Sequence, residues 1–166
     1  MKIIVTRLTD VALMQKACSY TMHRKESKAS LAKIYAARHS PMRTQIFTVE
    51  MQGIPSFVST HLTRHKIGVE HFVASNRDDR GGNGEADRNT PVDHMMFLTA
   101  EALITMAHKR LCSKSHHKTI EVMSDICDEI MKVDLPLFKL MVPLCMYRGG
   151  QCDELGKCWR RNHVSQ

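Results

Sequence analysis

Apolar positions recur along this chain at two spacings, and the change from one to the other marks out its elements. Lys2–Arg7 is a short β-branched run that predicts a strand. Thr9 and Asp10 then supply a helix cap, followed by Val11, Met14, Ala17 and Cys18 at helical spacing. A second helix is predicted over 30–38, carrying Leu31, Ile34 and Tyr35 on one face and stopped by Pro41. Over 45–51 the period falls to two, with Gln45, Phe47, Val49 and Met51 on one side, which predicts a half-buried strand ended by Gly53 and Pro55. Pro55 suits the first turn of a helix through Phe57, Val58, His61, Leu62 and His65.

Residues 77–89 are glycine-rich and charged, with almost nothing to bury. They predict a loop, read as a plain surface connection in preference to a mobile flap over a site. Thr90, Pro91 and Asp93 together resemble a helix start, which predicts one helix over 90–111 burying Met96, Ala100, Leu103, Ala107 and Leu111. Ser115 is placed to cap a further helix whose inward stripe is Ile120, Met123, Ile126, Cys127 and Ile130, ending before Pro136. The elements add up to an α+β fold: one domain over 1–143 with a small mixed or antiparallel sheet and a helical C-terminal half, and a Cys-rich tail over 144–166 packed on it.

Composition changes this picture little. At 166 residues, with 43% hydrophobic and 25% charged residues, the chain is sized and composed as one globular domain. The N-terminus lacks the apolar core and cleavage site of a signal peptide, and no stretch approaches the roughly 18 apolar residues of a membrane span. A soluble, cytoplasmic protein is therefore expected. A formal charge of +7 favours an anionic partner, but Lys and Arg are spread over the length, with denser stretches at 24–33 and 148–161. A nucleotide or acidic cofactor is favoured over a nucleic acid.

The candidate chemistry centres on Arg64, His65 and Lys66, which place two fixed cations and an imidazole within one helical turn. Arg offers bidentate donors and Lys a point charge, a combination suited to phosphate oxygens. Taken alone, three basic neighbours at a helix C-terminus are more often a solvated end favoured by the dipole. Their company changes the weighting. His39-Ser40-Pro41, the strand Ile46-Phe47-Thr48-Val49-Glu50, Pro55-Ser56-Phe57-Val58, Arg64-His65-Lys66 and Ser75-Asn76-Arg77 follow one another in order.

This order is similar to that of the flavin-dependent thymidylate synthases, whose signature is Arg-His-Arg, seven residues, then Ser-x-Arg. Here the third position is Lys66 and eight residues separate it from Ser75. A second similarity lies in Ser115-His116, Glu121 and Asp134-Leu135-Pro136, so that the resemblance spans 31–143. It implies that His39 and Ser40 lie beside the flavin, that Arg64, His65 and Lys66 grip FAD, and that Ser75 and Arg77 face the dUMP phosphate and base. It also implies a homo-oligomer, a tetramer, performing reductive methylation of dUMP to dTMP with methylenetetrahydrofolate as carbon source and NADPH as reductant. No nucleophile–base–orienter set is found, in keeping with cofactor-borne chemistry. The chain departs from the family in its shortened middle and in a late helix face reading Glu101, Leu103, Ala107 and Cys112, where Arg110 is the candidate replacement cation. The alternative is a homologue that binds or modifies a pyrimidine nucleotide, or a nucleic acid, without thymidylate synthesis.

Of the six cysteines, Cys18 and Cys127 fall on apolar helix faces and read as core. Cys112, Cys145, Cys152 and Cys158 raise the possibility of a structural zinc site, against the alternative of reduced, half-buried thiols, since the spacing lacks a Cys-x2-Cys knuckle. His116-His117 and the pair His94/His108 lack metal-site spacing and read as surface or core histidines.

Overall fold

The structure, a computed structural model, describes residues 1–21, 23, 26–82, 84–85, 87–156 and 158. Its centre is a four-stranded antiparallel sheet built from β1 (Lys2–Arg7), β2 (Ile46–Pro55), β3 (Val69–Val73) and β4 (Pro91–Thr99), in the spatial order β1-β2-β4-β3. The helices are α1 (Val11–Thr21), α2 (Leu31–Ala36), α3 (Ser56–Leu62), α4 (Ala100–Arg110), α5 (His117–Val133), α6 (Leu135–Phe138) and α7 (Leu144–Tyr147). An α+β architecture with most helices after the last strand agrees with the sequence reading.

One face of the sheet carries the core. Val5, Phe47, Val49, Met51, Met96, Leu98 and Val69 point from the strands toward α4 and α5, which answer with Leu103, Ile104, Ala107, Val122, Met123, Ile126 and Ile130. The opposite face has no helix packed over it among the described residues: Phe72 on β3 is 59% exposed and Phe97 on β4 42%, and Ile4 is exposed on β1 at the far edge of the sheet. A sheet with one covered face alternates inward apolar and outward polar residues, and β2 does so through Phe47, Val49 and Met51 against Glu50 and Gln52.

The expected 90–111 helix is half strand. Thr90, Pro91 and Asp93 resemble a cap, yet His94, Met96 and Leu98 are buried at period two and pair with β2. The cap is Thr99, whose hydroxyl accepts from Ala102 N at 3.2 Å, and the 3.6 period of Ala100, Leu103 and Ala107 begins there. Pairing gives β2 a second neighbour, and that outweighs a local signal worth about 1 kcal/mol. Likewise α5 is capped by His116 and not by Ser115, whose hydroxyl turns back to Lys109 O. β2 does not stop at Gly53. It continues to Pro55 past an irregularity between Met51 and Ile54, where Gly53 takes φ +70.

β3 was not foreseen, and it is entered through a turn only glycine fits. Gly68 has φ +72, and a Cβ there would lie 2.9 Å from Thr99 Oγ1, the atom that caps α4. Gly68→Ala is therefore expected to lower stability by about 1–3 kcal/mol in urea unfolding. A loss below about 0.4 kcal/mol would mean the turn tolerates a side chain.

Candidate functional site

α3 delivers the basic triplet. The helix closes at Thr63, and His65 N donates to Leu62 O at 3.0 Å, so Arg64, His65 and Lys66 emerge from its C-terminal end, with Arg64 and Lys66 exposed and His65 half-buried. Beside them lies an open cavity of about 540 Å3, walled by the triplet, Ile67 and the first turns of α4 at Glu101, Ala102 and Thr105. Glu101 also accepts from Arg43 at 2.6 Å, tying the 3-10 turn Ser40–Thr44 to the cavity wall.

His65 is fixed through its ring and its backbone. Arg110 Nε donates to His65 Nε2 at 2.9 Å and Arg110 Nη2 donates to His61 O at 2.5 Å, so Arg110, a candidate nucleotide ligand from sequence, supports the triplet from behind. Burial, then the Arg110 charge, then His71 hold the His65 imidazole down at about 4. At neutral pH His65 is uncharged, its Nε2 lone pair taken by Arg110, and its proton therefore sits on Nδ1. On the backbone side, His71 Nε2 lies 2.7 Å from His65 O.

The remaining expected site residues are more scattered. His39 and Ser40 begin the 3-10 turn, and His39 Nδ1 is buried without a hydrogen-bond partner, but neither residue walls the triplet's cavity. Ser75 accepts from Arg77 N at 3.3 Å, and the Arg77 guanidinium binds Asp79 at 2.8 and 2.5 Å. Arg77 is thus engaged within its own loop and does not reach the cavity in this conformation. That loop is folded on itself: Gly82 N donates to Arg77 O at 2.8 Å, and a Cβ on Gly82 would lie 2.2 Å from the Asn76 carbonyl carbon. Its far end holds α3, with Phe57 N donating to Arg88 O and the Arg88 guanidinium 4.9 Å over the Phe57 ring.

The four-cysteine site is not assembled. Cys112, Cys145 and Cys152 line one cavity of about 340 Å3 together with His108, but Cys158 is outside its wall. Among the described residues no group of three His, Cys, Asp or Glu side chains is placed to hold a metal ion. The long gaps between these cysteines leave them on separate elements: the end of α4, α7 and the tail. Cys18, Cys112, Cys127, Cys145 and Cys152 are free thiols, and Cys18 and Cys127 are core residues; burial pushes the Cys127 thiol up to about 12. His94 and His108 are core histidines too. No helix among the described residues is long and apolar enough to cross a membrane.

Sequence reasoning read His94 as a surface or core histidine and passed over His71 and Ser59, although the three stand together behind His65, with His71 Nδ1 3.0 Å from His94 Nε2 and His94 Nδ1 3.0 Å from Ser59 Oγ. The available signal was two histidines at inward positions of what prove to be neighbouring strands, visible only once 69–73 and 91–99 are read as strands.

No protein-family profile matches the chain, and no curated protein matches it in sequence. In structure it is similar to Thymidylate Synthase X from Helicobacter pylori, solved with FAD and dUMP, with TM-score 0.71 and 12% identity, over 86% of this chain and 99% of that one. It is also similar to a UMP/dUMP methylase from Streptomyces cacaoi bound with 5-Br dUMP, with TM-score 0.62 and 14% identity, over 84% of this chain and 94% of that one. The fold is therefore the one seen in flavin-dependent thymidylate synthases.

Proposed function

We propose that this protein is a flavin-dependent, thymidylate-synthase-like enzyme that binds FAD and a pyrimidine nucleotide beside Arg64, His65 and Lys66 and methylates dUMP reductively to dTMP. The observation that carries the reading is the joining of that fold to a cationic cavity whose central histidine is held neutral with its donor tautomer set. Arg64 and Lys66 are exposed and suit the phosphates of FAD or of the nucleotide, and His65 offers an N–H donor to a ring oxygen or nitrogen. The donor set thus fits a flavin dinucleotide. Bound flavin would supply the hydride, reduced in turn by NADPH, with methylenetetrahydrofolate as the carbon source; the protein's share is orientation and charge. Ser75 and Arg77 serve the nucleotide in this reading once Arg77 exchanges Asp79 for an anion, and His39 with Ser40 lies toward the flavin.

The working form is a homo-oligomer, a tetramer. The uncovered sheet face with Ile4, Phe72 and Phe97 supports self-association, and a second copy would close a cavity that one chain leaves open.

The test is spectroscopic. Purified protein is expected to carry or take up FAD, seen as the two visible bands of oxidised flavin, and Arg64→Ala should weaken FAD binding at least about tenfold. Protein that stays colourless with added FAD, and whose melting temperature does not move with dUMP, would end this reading. The shortened middle and a late helix face reading Glu101, Leu103, Ala107 and Cys112 favour a second one, a homologue that binds a pyrimidine nucleotide without making dTMP. Stabilisation by dUMP with no dTMP formed when folate, FAD and NADPH are all present would select it.

A further inference from the structure

Behind the triplet, three side chains from different elements form a single hydrogen-bonded line. His71 Nε2 lies 2.7 Å from the His65 carbonyl, His71 Nδ1 lies 3.0 Å from His94 Nε2, and His94 Nδ1 lies 3.0 Å from Ser59 Oγ. A carbonyl only accepts, so His71 carries its proton on Nε2. Neutral His71 then offers a lone pair at Nδ1, His94 must donate from Nε2, and its own Nδ1 accepts the Ser59 hydroxyl proton. Every hydrogen bond points toward His65. His94 is 2% exposed and Ser59 4%, so the line is anchored inside the core, on β4 and α3, and crosses β3 to the triplet.

We propose that His71 is a positioning residue for the basic triplet: backed by His94 and Ser59, it pins the His65 carbonyl to the sheet and so turns the following peptide N–H outward beside Arg64 and Lys66. The peptide bonds are trans and planar, so the Lys66 N–H points opposite to the His65 carbonyl. Among the described hydrogen bonds, the backbone N–H groups of Lys66, Ile67 and Gly68 donate to no protein group. Consecutive unpaired N–H groups next to two cations make a concavity for an anionic oxygen. Arg110 fixes the ring of the same histidine from the other side, so His65 is held at both its side chain and its carbonyl.

The role in ligand binding rests on the proposed FAD and dUMP site, so the test has one arm that needs no ligand. In the full chain, nitrogen NMR of the imidazoles is expected to show His71 and His94 both protonated at Nε2 and His65 at Nδ1. His71→Leu should shift the His65 carbonyl resonance, and His71→Gln, whose amide retains a donor and an acceptor, should largely restore it. In the other arm, His71→Leu should weaken FAD or dUMP binding about tenfold or more, and His71→Gln should return affinity to within about twofold of the unsubstituted protein. Affinities that merely follow each variant's loss of melting temperature, with no rescue by glutamine, would reduce His71 to a packing residue and overturn the proposal. A wild-type His71 protonated at Nδ1 with a bare Nε2 would overturn it whether or not any ligand binds. Should the unsubstituted protein bind neither FAD nor dUMP, the functional reading fails and the NMR arm alone decides. Should His71→Leu not fold, the wild-type tautomers and the glutamine variant decide.

Discussion

Replacing Asp134 by alanine is expected to cost about 3–5 kcal/mol of folding stability, because it strands two partners inside the protein. Asp134 is 3% exposed and sits where α5 meets α6. Its Oδ2 accepts the Tyr35 hydroxyl at 2.9 Å and lies 3.6 Å from Arg7 Nη1, and its Oδ1 accepts Leu137 N at 3.1 Å to start α6. Arg7 in turn donates to Thr9 O and to the buried Gln45 side chain. One carboxylate therefore ties β1, α2 and α6 together. Burial, then the Asp134 charge and the hydrogen bond to it, raise the Tyr35 phenol above its usual range, so Tyr35 stays a donor. Urea unfolding measures the loss. Asp134→Asn keeps one acceptor, enough for Leu137 N, and sets an NH2 against the Tyr35 hydroxyl and Arg7, so it should recover only part of that loss. Adding Tyr35→Phe to the alanine variant should recover part of the deficit by removing an orphaned hydroxyl. A cost for Asp134→Ala below about 1 kcal/mol would show that water replaces the carboxylate freely.

Acid should weaken the protein progressively from about pH 6.5 downward, before its carboxylates titrate. Burial, then His71, hold His94 down at about 4; burial, then Arg38, Arg148 and Lys109, do the same to His108. An unfolded histidine takes up a proton near 6.5, so between about 6.5 and 4 the unfolded chain binds more protons than the folded one. Stability is therefore greatest above about 6.5 and falls as the pH drops toward 4. At about 1.4 kcal/mol per pH unit, each of these two buried histidines contributes on the order of 3 kcal/mol to that fall. His65 adds in the same direction. Denaturant midpoints at pH 7, 5.5 and 4.5 should descend, and His108→Gln should flatten the descent. Equal midpoints across that range would show that these imidazoles protonate without disturbing the fold.

The sequence carried some elements in full and others not at all, and the reasons are physical. β1, α1 and α5 were legible because their inward residues repeat at one period: Met14 with Cys18, and Met123 with Ile126, Cys127 and Ile130. At 90–111 two periods meet without a break, and the turn grammar of Thr90-Pro91-x-Asp93 concealed the switch at Thr99. β3 is five residues long and mostly outward-facing, so it leaves almost no pattern. In the site, Arg64, His65 and Lys66 were legible as neighbours in sequence. Their supports were not, because Arg110, His71, His94 and Ser59 are brought to His65 only by the pairing of β3 with β4 and by the packing of α3 and α4.

The strand order also bears on how the molecule comes to be folded. β2 and β4 are the inner strands, and everything from α3 to the charged loop, the basic triplet included, lies on the excursion between them. Pairing Pro55 with Pro91 closes that excursion as one large loop, a slow step compared with a local hairpin. Closure entropy grows only with the logarithm of loop length. A change in length confined to the charged stretch between β3 and β4 should therefore cost little stability, because it alters only the logarithm of the loop that the central pair must close.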